Sequence, residues 1–79
     1  MDKAKKIVKA LEKAGLLEEN KICTLSDGTT GIMVSHDYNG MYPTLETHKK
    51  HIIVVKIAAR YHCRKCEPRG FYKATLIYI

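Results

Sequence analysis

A change of periodicity after residue 20 does more than any other feature to limit the folds open to this chain. Before it, Ala4, Ile7, Val8, Leu11 and Ala14 recur at helical spacing, which predicts an amphipathic helix over residues 2–14. Asp2 is placed to cap its start, and Gly15 to end it in the left-handed conformation. Lys3, Lys5 and Lys6 crowd the positive end of the helix dipole, at a cost of roughly 0.3 kcal/mol each, and are read as a solvated face.

From Lys21 onward the pattern is one of strands and turns. Lys21–Ser26 reads as a short strand, Asp27-Gly28 as a turn and Thr30–Tyr38 as a second strand. Asn39-Gly40 is the strongest hairpin signal in the chain and would set Tyr38 opposite Met41 and Val34 opposite Leu45. Pro43 confines the strand that follows to an edge or a short stretch. Ile52 to Val55 is an unbroken β-branched run, and Ile53, Val55, Ile57, Ala59 and Tyr61 alternate with Lys56, Arg60 and His62, which predicts a strand over 52–62. Phe71–Ile79 is its expected partner, in a register that joins Tyr61 to Tyr72 and Ile57 to Leu76. A helix over 44–61 capped by Thr44 is the main competitor, and the β-branched run places it second. The expected fold is therefore α+β: one N-terminal amphipathic helix packed on a four- to five-stranded antiparallel sheet, a meander with strong curl.

Seventy-nine residues make one domain, close to the lower limit for a core that stabilises itself. A hydrophobic fraction of 46% with 28% charged residues excludes wholesale disorder. No segment approaches the ~20 apolar residues of a membrane span, and the lysine-rich start lacks the apolar stretch of a signal peptide. The three cysteines are an odd number, so reduced thiols in a cytoplasm are expected rather than a disulfide framework. Residues 49–79 hold eight of the 14 Lys and Arg against Glu67 alone, while residues 22–48 hold none and carry three acids. That asymmetry predicts one basic end suited to a polyanion, beside the plainer reading of a soluble basic surface.

The segment Arg60-Tyr61-His62-Cys63-Arg64-Lys65-Cys66 carries the densest chemistry. Cys63 and Cys66 form half of a zinc-knuckle pattern, and in a curled meander Cys23 and His36 fall at the same end of the sheet to complete a zinc site. The alternative is a hairpin loop with unligated thiols. A redox role for the pair is disfavoured, since Glu67-Pro68-Arg69-Gly70 is turn chemistry rather than the start of a helix. His48-Lys49-Lys50-His51 reads as a basic, solvated turn. An enzyme is the lesser expectation: a metal-independent ribonuclease would use His62 as base with Arg60, Arg64 and Lys73 around a phosphate.

Charge interleaved with aromatic rings points instead to a non-catalytic binding module. Lys56, Arg60, Arg64, Lys65, Arg69 and Lys73 would hold phosphates of a nucleic acid or nucleoprotein, with Phe71 stacking on a base. The competing class is a small protein inhibitor or adaptor. It would act through Tyr38, Met41 and Tyr42 and through Phe71–Ile79 as an exposed edge strand, which also admits a homodimer.

Overall fold

The computed structural model describes residues 3–16 and 21–79. The elements run α1 (Lys3–Lys13), β1 (Lys21–Thr24), β2 (Thr30–Ser35), α2 (Leu45–Arg60), β3 (Lys65–Arg69) and β4 (Ala74–Tyr78). The strands form one antiparallel sheet in the order β1-β2-β4-β3. Both helices lie on the same side of it. No described helix is long and apolar enough to cross a membrane.

Helix α1 follows its periodicity: Ala4, Ile7 and Leu11 are buried, and the lysines between them face solvent or lie part-buried. The proposed Asp2 cap lies outside the described residues. At the other end Gly15 takes φ +80°, and Leu16 N–H donates to Leu11 O at 3.0 Å while Gly15 N–H donates to Glu12 O at 3.0 Å. These two bonds satisfy carbonyls that the helix end would otherwise strand, and Leu16 folds back onto the core.

The strand expected over Ile52–His62 is instead the body of α2, so the fold has two helices where one was expected. Thr44 and Thr47 bond reciprocally, each side-chain oxygen accepting from the other's backbone N–H at 3.1 and 3.0 Å. This capping box fixes the first turn directly after Pro43. Thr47, His51, Val54, Ile57 and Ala58 then recur at helical spacing and are buried. Packing of that face outweighs the strand preference of a β-branched run, whose cost in a helix is only about 0.5 kcal/mol per residue. His62 ends the helix at φ +57°, and Cys63 N–H donates to Ala58 O at 3.0 Å, which turns the chain into β3.

Three further expectations change with α2. Asn39-Gly40 makes no hairpin; β2 stops at Ser35. The Tyr38 hydroxyl crosses over Gly40 to bond Tyr42 O, and any side chain at 40 would collide with that ring. The partner of the last strand is Lys65–Arg69, pairing Glu67 with Leu76, not Ile57 with Leu76. Finally β4 lies between β2 and β3, so Phe71–Ile79 is not an edge strand. The Asp27-Gly28 turn joining β1 to β2 does form, with Asp27 Oδ1 accepting from Thr29 N at 3.0 Å and Thr29 Oγ1 at 2.6 Å.

The core sits between helices and sheet: Ala4, Ile7 and Leu11 from α1, Val54, Ile57 and Ala58 from α2, Ile32 and Val34 from β2, Ile77 from β4. Strand alternation sends Cys23, Met33, Leu76, Tyr78, Lys65, Glu67 and Arg69 to the other side of the sheet, which neither described helix covers.

Candidate functional site

The seven residues expected to bind nucleic acid are distributed over three places. Lys56 and Arg60 are exposed on α2. Arg64, Lys65 and Arg69 lie at or on the open sheet face, and each already has a partner. The Arg64 guanidinium is 3.5 Å from Asp27 Oδ2 and donates to Thr29 Oγ1 at 2.7 Å. Lys65 Nζ is 3.8 Å from Glu67 Oε2, and Arg69 Nη1 donates to Glu67 Oε1 at 2.8 Å. Tyr78 joins the group: its ring lies under Lys65 Nζ at 4.4 Å and its hydroxyl donates to Glu67 Oε2 at 3.1 Å. Hydrogen bonds from Thr29, with the Arg64 charge behind them, hold the Asp27 carboxyl below its usual range, so it stays ionised as a counter-charge. Phe71 and Lys73 sit in the β3–β4 turn at the far end of the strands. Arg64 N–H bonds Tyr78 O, whereas Lys73 precedes Ala74, so about 17 Å of strand separates them. The ribonuclease constellation of His62, Arg60, Arg64 and Lys73 therefore does not converge.

A different set of cations does converge. Lys6, Lys9 and Lys13 share one face of α1, and with Arg60 and Tyr61 from the end of α2 they line an open groove of about 310 Å³. Among the described residues, no carboxylate stands within ion-pair distance of these four cations. The helical spacing of 6, 9 and 13 was visible in the sequence, but only the packing of α1 beside α2 adds Arg60.

A polar cluster on the helix side of the sheet carries no local signal in the sequence. Thr75 on β4 is fully buried, and its hydroxyl lies 2.7 Å from His36 Nε2 and 2.8 Å from His51 Nδ1. Lys50 Nζ donates to His36 O at 3.2 Å, and the Tyr72 ring stands edge-on to His51 at 5.0 Å and to His48 at 5.5 Å. His36 Nδ1 is the one buried side-chain polar atom among the described residues with no partner. A stranded lone pair costs less than a stranded N–H. On that ground the proton is assigned to His36 Nε2, which donates to Thr75, whose own hydroxyl donates to His51 Nδ1. Burial, followed by the Lys50 and His51 charges, pulls His36 from 6.5 to about 4. Burial and then His48 lower His51. Both rings are neutral at neutral pH and turned away from solvent. A cleft of about 390 Å³ opens beside them, lined by His36, Tyr38, Thr44, Glu46 and Lys50 among others.

The zinc set is not assembled. Among the described residues no three His, Cys, Asp or Glu side chains are grouped to hold a metal ion. Cys23 points to the open sheet face beside Gly31, His36 is engaged with Thr75, and Cys63 and Cys66 pack against the core from its helix side. Burial pushes the Cys66 thiol up to about 11, with Cys63 adding to it, and burial also raises Cys63. Both remain protonated, and a protonated thiol is neither a good ligand nor a good nucleophile.

Comparison of the chain with protein-family models, curated proteins and solved structures returned no match. The geometry alone therefore carries the functional reading.

Proposed function

We propose that the protein is a non-catalytic nucleic-acid-binding module whose primary contact is the groove between α1 and α2. The observation that carries this is the convergence of Lys6, Lys9, Lys13 and Arg60 on one open surface with no opposing carboxylate among the described residues. Phosphates are the natural occupants of such a groove, because each neutralised phosphate releases counterions, and that release drives binding without requiring base contacts. Tyr61, half-buried at the groove, offers a ring edge for a sugar or base. Arg64, Lys65 and Arg69 serve as a second rank. Their exposed ion pairs are worth roughly 0–1 kcal/mol each and yield to a phosphate only after the groove has recruited it. The free thiols of Cys23, Cys63 and Cys66 suit a reducing, cytoplasmic setting.

The test is the salt dependence of binding to mixed-sequence oligonucleotides. Four phosphate contacts give a slope of about −3.6 on duplex and −2.8 on single strands, so affinity falls by roughly 50- to 150-fold between 50 and 200 mM salt. Lys9→Ala or Arg60→Ala reduces the slope by about one. Absence of binding at low salt, or a slope that these substitutions leave intact, removes the groove as the contact.

A further inference from the structure

Helix α2 buries one side against the sheet and presents the other to solvent, and the solvent side is ordered into two rows. Leu45, Ile52 and Ala59 stand seven residues apart and are all exposed, Leu45 at 72% and Ile52 at 38%. Beside them run Lys49 and Lys56, also seven apart, with Ile53 beyond at 39% exposure. The helix has one acid, Glu46, which stands 3.9 Å from Lys50 at the edge of the His36 cleft and not in either row. From Leu45 to Ala59 the apolar row is about 21 Å long at 1.5 Å per residue.

We infer that this outward face of α2 is a docking surface for an acidic amphipathic helix of a partner protein. A repeat of seven is the spacing at which a second helix keeps an apolar seam in register. The cation row beside the seam selects a partner whose flanking positions are Glu or Asp. A second copy of the chain is a poor occupant, because pairing α2 with itself brings lysine rows together without an acid to separate them. Nucleic acid is poorly matched as well: Leu45, Ile52 and Ala59 offer nothing to phosphates, whereas the apolar face of a partner helix can cover Leu45, Ile52 and the neighbouring Ile53 together. The surface borders the α1–α2 groove at Arg60, which follows Ala59, and takes none of the groove's lysines.

The experiment uses the whole chain and a synthetic 21-residue helix with Leu at its seam positions and Glu at the flanking ones. A peptide of the same composition in shuffled order is the control. Fluorescence anisotropy at physiological ionic strength is expected to show the patterned peptide binding at least tenfold more tightly than the shuffled one. Leu45→Ser with Ile52→Ser weakens it tenfold or more, with circular dichroism confirming an intact fold and oligonucleotide affinity held within twofold. Lys49→Glu with Lys56→Glu also loses the Glu peptide and gains a peptide carrying Lys at those flanking positions. Equal binding of patterned and shuffled peptides, or no binding of either, overturns the inference. It is equally overturned if the serine substitutions abolish binding to oligonucleotides or to phosphatidylserine vesicles, or if they convert a dimer to a monomer in sedimentation.

Discussion

The two sides of the sheet treat charge in opposite ways. On the open face Arg64, Lys65 and Arg69 are matched to Asp27 and Glu67, with Tyr78 between them, so a formally basic segment is close to self-neutralised. On the helix side Lys6, Lys9, Lys13 and Arg60 meet without a counter-charge among the described residues, and beneath the helices two histidines are kept neutral by burial. Density of Lys and Arg along the sequence is therefore a poor guide to where positive potential is available. What matters is which acids the fold brings to them.

Acidification gives the largest expected separation of the two sides. His36 has a folded value of about 4 against 6.5 when exposed, so below pH 6.5 the unfolded chain takes up a proton that the folded chain refuses. Its contribution is complete above pH 6.5 and is lost as pH falls from 6.5 towards 4, about 3 kcal/mol in all. His51 is shifted in the same direction and adds to the loss. Urea denaturation at pH 7 and pH 4.5 reads this directly, and a His36→Leu variant is expected to flatten the profile. A profile unchanged by that substitution would place the acid sensitivity elsewhere.

Charge reversal is the next contrast. Lys9→Glu with Arg60→Glu is expected to lower oligonucleotide affinity on the order of a hundredfold at low salt, whereas Arg64→Glu with Lys65→Glu lowers it only a few-fold. Equal losses from the two pairs would erase the distinction between groove and face. Within the buried cluster, Thr75→Val leaves two imidazoles without their shared hydroxyl and is expected to cost about 1–3 kcal/mol, while Thr75→Ser retains most of the stability. Smallest of all, Asp27→Asn with Glu67→Gln removes the counter-charges of the open face. Stability should move by less than about 1 kcal/mol, and oligonucleotide affinity should rise a few-fold as the second rank of cations is freed.

Much of α1 was readable because its signals are local: an apolar stripe, then a glycine that can take positive φ. The Asp27-Gly28 turn was readable for the same reason, since Asp27 bonds a neighbour two residues away. Ile52–Val55 misled because β-branching states a preference over a few residues, while the Thr44–Thr47 capping box and the burial of His51, Val54 and Ala58 act over a whole helix. Asn39-Gly40 misled because β2 ends at Ser35 and the residues after the turn lead into the Thr44 cap of α2, so no second strand follows to pair. Of the expected binding residues, Arg60 joins the groove; of the lysines that complete it, only Lys6 is read from the sequence, as part of a solvated face. From the sequence His36 and His51 read separately, as a zinc ligand and as part of a solvated turn; their pairing carried no signal, because the hydroxyl that joins them arrives from residue 75.

By itself the sequence determined an α+β chain with a basic surplus, a first helix and an antiparallel sheet, since periodicity, turn chemistry and charge act between near neighbours. Only the tertiary structure decided which cations are paired and which have no carboxylate beside them among the described residues, that the half-buried thiols are not grouped with histidines as metal ligands, and that two imidazoles share one threonine. Apart from the Glu67 ion pairs, which join residues two apart, those outcomes depend on residues brought together from distant parts of the chain, where pairing and loss of water set the energies.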